Sequence, residues 1–383
     1  MSFNLNYKNL FNYLIDTAVC TKYELTNIKV DTFSSKNFNW VIELSENKCK
    51  LIIKQYPNYN GLDGGNRIRK EWYIYNFLQS SQDLAYPASL TPELLSFDES
   101  SSILICKYLN DYITLDSYYI NQKFFPSAIA EWVGITLAKL HSETMNSQRL
   151  YTFTANFKEC KLSCQLPYPD YISDYLVNRI EPENLKKIPV QSWNILSMFQ
   201  HSQDLRKVAT ELVFHHRHYC LTHNNIQFNK ILIPRDWEKL LSDTEDYENT
   251  SIKLTDWEAY SWGDPACDLG QAIAGYFSFW LNSIVVYPEI KIEQSLRLAT
   301  IPLEVVRPSI VAMANAYLKT FPKILEAEPE FLKRVVQFAG FGLIHQLLVE
   351  FQISQEILSS SRWQVNFSIA TQLLRKPEKF LAI

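Results

Sequence analysis

The spacing of apolar and polar residues divides the chain into a strand-rich beginning and a long helical remainder. Residues 1–19 have helical spacing, with Leu5, Leu10, Tyr13 and Leu14 on one side. Three apolar runs between residues 21 and 57 then predict strands. The last two have the pattern of a hairpin with a polar turn at residues 45–48. Helical spacing over 67–79 and two more strand patterns within 89–109 complete a small antiparallel sheet with one helix.

After residue 109 the pattern becomes mainly helical. Residues 127–144 form one apolar stripe, and a helix is also predicted over 204–218. Two short strand patterns, 230–233 and 252–257, flank a segment that we expect to be a charged loop. The sequence therefore predicts an α+β fold, with an N-terminal lobe over 1–108 and a helical lobe over 109–383. An irregular insertion is expected at about 147–200.

Composition excludes several classes of protein. The chain has 383 residues, is 47% hydrophobic and carries a net charge of −4, which does not favour an extended nucleic-acid surface. Seven scattered cysteines and a first segment without a signal-peptide pattern indicate reduced thiols and a cytoplasmic location. The most apolar run, 272–287, is shorter than the roughly 20 residues of a spanning helix. We expect a buried core helix there and no membrane segment.

Carboxylates follow the last predicted strand at a spacing that indicates a site. Asp256 ends that strand, and a carboxylate there is well placed for Mg²⁺, which binds one or two carboxylates together with phosphate oxygens. Asp264 precedes Pro265, a combination typical of a helix N-cap and first helical position. Asp268 follows in the first turn of the predicted helix.

Three segments together carry a family resemblance. They are LAKLHS (137–142), THNNIQFNKILI (222–233) and IKLTDWEAYSWGDPACDLG (252–270). Over residues 25–350 the chain resembles the aminoglycoside and choline phosphotransferase family, a branch of the protein-kinase-like fold. The resemblance implies a two-lobed fold that uses ATP, or another nucleoside triphosphate, with Mg²⁺. It also implies that Asp256 holds metal, and that Asp264 and Asp268 are structural, with Asp268 supporting the catalytic loop.

The catalytic loop departs from the family pattern at two positions. In the family, a histidine is followed two residues later by a catalytic Asp and, after four more residues, by a metal-binding Asn. Counted from His223, these positions fall on Asn225 and Lys230. An amide cannot accept a proton at neutral pH, although Asn225 can still orient a hydroxyl. Lys230 would either repel a metal ion or replace one and contact phosphate directly.

The nucleotide-binding lobe has a lysine at the family's expected position but lacks the usual glycine loop. Lys54 occupies the position of the phosphate-binding lysine, and Glu71 is its natural ion-pair partner on the following helix. The turn over 31–40 contains no glycine, so its phosphate donors would come from Ser34, Ser35 and Asn37. Backbone groups from Ile105 to Lys107 are expected to meet an adenine ring.

Other clusters carry weaker chemical signals. His215, His216 and His218 form a group that helical spacing points in different directions. Cys160 and Cys164 lack the second Cys/His pair of a zinc site. Aromatic residues of the insertion either line a substrate pocket or cover the core; they include Tyr168, Tyr171 and Trp193. No acidic run of the kind expected for a polycationic aminoglycoside is present there.

Three functional hypotheses remain open from the sequence. The first is a pseudokinase, in which phosphotransfer is impaired or absent and the protein binds a nucleotide, a substrate or a protein partner. The second is an active phosphotransferase that modifies a hydroxyl of a small molecule or a Ser/Thr of a biosynthetic peptide. The third is a scaffold partner that binds no nucleotide.

Overall fold

The computed structural model describes residues 3–25, 29–34, 38–44, 50–55, 64–156, 192–214, 219–243, 252–287, 289–353 and 362–381. Its strands are β1 (Lys29–Ser34), β2 (Phe38–Glu43), β3 (Lys50–Gln55), β4 (Leu94–Asp98), β5 (Ile103–Lys107), β6 (Tyr112–Thr114), β7 (Cys220–Thr222), β8 (Ile231–Pro234), β9 (Lys253–Leu254) and β10 (Ser261–Gly263).

The helices follow in chain order. They are α1 (Leu10–Asp16), α2 (Gly64–Gln79), α3 (Ala85–Ser89), α4 (Leu115–Gln122), α5 (Ser127–Thr144), α6 (Gln148–Asn156), α7 (Trp193–His201), α8 (Gln203–Phe214), α9 (Trp237–Asp243), α10 (Pro265–Asn282), α11 (Ile292–Arg297), α12 (Leu303–Thr320), α13 (Lys323–Ala327), α14 (Phe331–Ile353) and α15 (Arg362–Arg375). Short 3₁₀ turns lie at Gln82–Leu84, Phe228–Lys230, Trp257–Ala259 and Pro377–Lys379.

By compactness the chain forms two units. The first unit comprises Met1–Leu115 and Lys230–Ala259, and the second comprises Asp116–Asn229 and Tyr260–Ile383. The boundary of the N-terminal lobe near residue 108 stays a prediction. A small antiparallel sheet and a mainly helical remainder confirm the predicted α+β fold class.

The first unit is built on a five-stranded antiparallel sheet in the order β1-β2-β3-β5-β4. Alternation along β3 buries Leu51 and Ile53 in an apolar cluster that also includes Trp40 from β2 and Leu10 from α1. A second sheet of this unit has the order β6-β8-β9. The register of the first sheet fixes Lys54 opposite Leu104 on β5.

Packed helices form the second unit. Helix α5 packs against α12, α10 packs against α14, and α14 packs against α15. At Gly134 of α5 a Cβ would collide with the backbone carbonyl of Met313 on α12, so glycine permits the close approach of these helices. Helix α10 is buried along most of its length. In the described part of the chain, no helix is both long and apolar enough to span a bilayer.

The first predicted helix is shorter than the sequence pattern suggested. Helix α1 covers only Leu10–Asp16, whereas helical spacing extended over 1–19. Asn6 and Asn9 side chains accept hydrogen bonds from nearby backbone amides, and such local bonds compete with helix formation. Ala18 has φ 56°, a left-handed conformation that ends the helix.

Three other local predictions need correction. The turn expected over 31–40 is strand at residues 31–34 and 38–40, because β1 pairs with β2 up to Ser34 opposite Phe38. Of the strand expected over 23–30, residues 23–25 belong to a turn at 22–25, residues 29 and 30 are extended, and residues 26–28 lie outside the described residues. Helix α9 lies within the expected charged loop over 234–251.

Candidate functional site

A buried lysine between two carboxylates is the main feature of the first unit. Lys54 Nζ lies 2.7 Å from Glu71 Oε1 and also forms an ion pair with Asp256. The Lys54 side chain is 7% exposed and that of Glu71 is 0% exposed. Burial opposes the charged form of Lys54, but both carboxylates outweigh it and hold its pKa above the ordinary value. The expected ion pair is therefore present.

Neighbouring residues fix the two carboxylates. Tyr75, one helical turn after Glu71 on α2, donates a 2.8 Å hydrogen bond from its hydroxyl to Glu71 Oε1. Asp256 follows β9 with φ 61°, a left-handed conformation that aspartate tolerates better than most residues. The 3₁₀ turn Trp257–Ala259 comes next, and Trp257 Nε1 donates to the Leu254 carbonyl at 2.9 Å.

Lys230 brings a second ammonium group to the same unit. Its backbone carbonyl accepts a 3.0 Å hydrogen bond from the amide of Thr255, the residue before Asp256. Burial lowers the pKa of Lys230, while the carboxylates of Asp256 and Glu258 act in the opposite direction. With Lys54 and Glu71, this gives two ammonium groups and three carboxylates that influence one another.

In the second unit, Asp268 holds the backbone of the predicted catalytic loop. Its Oδ2 accepts the amide of His223 at 2.8 Å and its Oδ1 accepts the amide of Asn224 at 2.7 Å. Asn224 has φ 60°, so this loop also contains a left-handed residue. Asp268 lies in the first turn of α10, and Asp264 caps that helix by accepting the Ala266 amide at 2.9 Å.

At the position where the resemblance predicts a catalytic base, the side chain is an oriented amide. Asn225 is 8% exposed, and its Oδ1 accepts a 3.1 Å hydrogen bond from Gln227 Nε2. The Asn225 backbone amide donates to His223 Nδ1 at 3.2 Å. Gln271 of α10 braces the loop by donating to the Asn224 carbonyl at 2.9 Å and accepting the Ile226 amide at 2.6 Å.

The sequence pattern missed a buried support behind this loop. His141 Nε2 lies 3.1 Å from Asp268 Oδ2, and His141 Nδ1 lies 2.8 Å from the Tyr317 hydroxyl. Both His141 and Asp268 are fully buried. The one sequence signal for this support is a histidine within the apolar stripe of LAKLHS (137–142), and its spacing does not indicate a partner.

The other residues predicted to contact a nucleotide either lie outside the described residues or belong to paired strands. Ser35 and Asn37 lie outside the described residues, and Ser34 is described only by its backbone in β1. Ile105 lies in β5 between β3 and β4, and the Lys107 amide donates to the Glu93 carbonyl at 2.9 Å. Because neighbouring strands already use backbone groups here, an adenine contact at 105–107 stays a prediction.

The weaker sequence signals have mixed outcomes. The histidines at 215, 216 and 218, the cysteines at 160 and 164, and Tyr168 and Tyr171 lie outside the described residues. Trp193 begins α7 and is 45% exposed, so it does not cover the core. Among the described residues, no group of three or more His, Cys, Asp or Glu could hold a metal ion.

A cavity of about 540 Å³ lies within the second unit. Its described lining contains the carboxyl groups of Asp116 and Glu350 and the rings of Phe228 and Phe279, but no Lys, Arg or His. Burial raises the pKa of Asp116. Burial also raises the pKa of Glu350, although Arg362 opposes the effect. The acidic lining suits a ligand that carries an amine, and the sequence pattern did not reveal it.

The Asp268→Asn variant is expected to lose about 1–3 kcal/mol of unfolding free energy. The asparagine side chain has one acceptor oxygen and one NH₂ donor group. One of the two buried backbone N–H groups, of His223 or of Asn224, would therefore lose its acceptor and lie against another donor. Chemical denaturation of the full chain measures the loss. Asp204→Asn is the matched control, because that carboxylate is 61% exposed and pairs with Arg375 at the surface. Equal losses in the two variants would contradict this role of Asp268.

Comparison with known proteins places the fold. No family model matches the chain, and no curated protein matches it. A solved Plasmodium vivax ethanolamine kinase matches with 14% identity and a TM-score of 0.55, covering 96% of this chain and 88% of its own. A choline/ethanolamine kinase family protein from Mesorhizobium loti matches with 15% identity and a TM-score of 0.51, covering 97% and 95%. The chain has the protein-kinase-like fold of the choline and ethanolamine kinases, as its resemblance predicted.

Proposed function

We propose that this kinase-like protein binds a nucleotide but transfers phosphate inefficiently or not at all. Nucleotide binding is proposed because of the buried Lys54. Its Nζ lies 2.7 Å from Glu71 Oε1 and forms an ion pair with Asp256. A charged ammonium kept in place inside a small lobe is what a phosphate group needs as a partner. ATP is the first candidate ligand, and another nucleoside triphosphate is the alternative.

The substitution at Asn225 supports impaired transfer. A positioned general base contributes about 10²–10⁴-fold to a reaction rate, and an amide cannot accept the proton. The Asn225 side-chain oxygen Oδ1 also accepts a 3.1 Å hydrogen bond from Gln227 Nε2. Phosphoryl transfer depends strongly on positioning, so Asn225 retains the capacity to orient a hydroxyl.

Lys230 is the heavier change, because it alters the charge at a metal-binding position. An ammonium has no lone pair for a metal. At about 4 Å from a divalent ion and an effective dielectric of about 20, the repulsion is roughly 8 kcal/mol before relaxation. Relative to the family pattern, the two substitutions together add about two units of positive charge to the chain.

Magnesium is the metal that the resemblance implies, and the described residues do not fit the implied site. Of the two expected ligands, Lys230 cannot coordinate, and the Asp256 carboxylate is already paired with Lys54. Asp256 as a metal ligand therefore stays a prediction, and no reaction step is assigned to Mg²⁺.

A thermal-shift scan with ATP, ADP and GTP tests nucleotide binding directly. At a ligand concentration 100-fold above Kd, binding is expected to stabilise the protein by about 2.7 kcal/mol, which raises Tm. Adenosine without phosphate is the control, because Lys54 would have no phosphate to contact. No shift with any nucleotide would contradict the proposal and would favour the scaffold hypothesis, in which the chain serves a protein partner.

The acidic cavity favours a second candidate, an active phosphotransferase with an amine-bearing acceptor. Asp116 and Glu350 would attract a cation, and the rings of Phe228 and Phe279 would cover its apolar part. The Plasmodium vivax neighbour is an ethanolamine kinase, which acts on a small amino alcohol. A Ser/Thr of a peptide is the remaining acceptor class. Robust turnover by the wild-type chain would favour this candidate over the first.

The cytoplasmic location also remains a proposal. Four described cysteines are buried thiols that form no disulfide, namely Cys20, Cys106, Cys220 and Cys267. Free thiols are the usual state of cysteines in a reducing compartment. Burial raises the pKa of Cys106 to about 12, which keeps this thiol protonated and unreactive.

A further inference from the structure

We propose that Lys54 and Lys230 together bind the phosphates of a nucleotide in the first unit without a divalent cation. This inference rests on the proposed function, because it specifies how the same site would hold its ligand. It goes beyond that function by removing the metal requirement that the resemblance implies. The ammonium group of Lys230 would supply part of the positive charge that a metal otherwise brings.

Asp256 is already paired with an ammonium group. Its carboxylate forms an ion pair with Lys54, whose ammonium also lies 2.7 Å from Glu71 Oε1. A divalent cation at Asp256 would have to share the carboxylate with Lys54 at close range. Because like charges repel, the ion pair disfavours metal at this position.

A backbone hydrogen bond holds Lys230 close to Asp256 in the fold. Its carbonyl accepts the Thr255 amide at 3.0 Å, which ties Lys230 to the residue just before Asp256. Strand β8 begins at the next residue and pairs with β9 through Ile231 and Leu254. Backbone hydrogen bonds therefore fix the main chain of Lys230 beside the residue that precedes Asp256. The carboxylates of Asp256 and Glu258 oppose the burial that lowers the pKa of the Lys230 ammonium group.

Lys230 changes the formal charge of this cluster of ionisable residues. Counted in their charged forms, the carboxylates of Glu71, Asp256 and Glu258 and the ammonium groups of Lys54 and Lys230, which interact electrostatically, have a formal charge of −1. With a neutral amide at position 230 the same cluster would have a formal charge of −2, which suits a divalent ion. Lys230 thus supplies internally part of the positive charge that Mg²⁺ brings to a phosphate site.

The test measures Kd for ADP and ATP with the full-length chain, once in excess Mg²⁺ and once in EDTA. In the wild type, we expect the two Kd values to agree within about threefold for each nucleotide. In Lys230→Asn, we expect EDTA to weaken binding at least about tenfold, because the amide restores dependence on the metal. Lys230→Gln is a second variant, and melting curves show that both variants are folded.

Lys29→Asn is the matched control, because it removes an exposed lysine from the same unit. It is expected to behave as the wild type in both buffers. Wild-type binding that weakens tenfold or more in EDTA would overturn this inference and leave the proposed function intact. Metal-independent binding that persists in both Lys230 variants would also overturn it. Absence of binding in both buffers would overturn the proposed function and the inference together.

Discussion

The double variant Asn225→Asp, Lys230→Asn is expected to transfer phosphate about 10²–10⁴-fold faster than the wild type. Aspartate at 225 restores a group that accepts the proton of an attacking hydroxyl. Asparagine at 230 removes the ammonium and restores a neutral oxygen ligand for metal. Both changes return the loop to the family pattern around an unchanged His223, and the Asp268 hydrogen bonds that hold its backbone remain available.

Turnover of ATP in excess Mg²⁺, with ethanolamine or choline as the probe acceptor, measures the gain. The acidic lining of the 540 Å³ cavity is the reason to begin with amines. Each single substitution is measured as well, because the base and the metal ligand are expected to act together. A double variant that is folded and binds ATP, yet is no faster than the wild type, would contradict the assignment of these two positions.

The Lys54→Met variant is expected to lose about 3–5 kcal/mol of unfolding free energy, because it leaves a buried charge without its partner. Glu71 is fully buried, and without Lys54 the Tyr75 hydroxyl is the one donor to its Oε1 that remains among the described residues. Asp256 is less affected, since its side chain is 34% exposed. Denaturant-induced unfolding, followed by circular dichroism, measures the loss.

Two further variants separate this cause from a general effect of the substitution. Lys50→Met changes the first residue of the same strand, where the side chain is 32% exposed, and should cost much less. Glu71→Gln added to Lys54→Met removes the unpaired charge and should recover much of the stability. A Lys54→Met protein as stable as Lys50→Met would show that the buried pair does not have the strength assigned to it.

Elements with strong local patterns were predictable from the sequence. Helix α5 covers the residues 127–144 that its apolar stripe indicated, and the β2–β3 hairpin follows from two apolar runs around a polar turn. Asp264 caps α10 with Pro265 at its first position, as the residue order indicated. In each case the determining interactions lie within a few residues of one another.

Features that the sequence pattern did not predict depend on competing local hydrogen bonds or on contacts between residues far apart in the chain. The N-terminal helix is shortened because Asn6 and Asn9 offer backbone amides an alternative partner. The support behind the catalytic loop joins His141 to Asp268 and Tyr317, which are 127 and 176 residues away in the chain. Asp116 and Glu350 line one cavity from opposite ends of the second unit's sequence. A single sequence contains no signal for such pairings.

Isothermal titration calorimetry with ATP measures whether the buried Lys54 of this kinase-like fold binds nucleotide. The full-length wild type is compared with the double variant Lys54→Met, Glu71→Gln, which removes the ammonium group without leaving a buried carboxylate unpaired. We expect one ATP bound per wild-type chain and at least about tenfold weaker binding in the double variant, a difference of about 1.4 kcal/mol. Absence of binding to the wild type, or equal affinity in both proteins, would contradict a role of Lys54 in nucleotide binding.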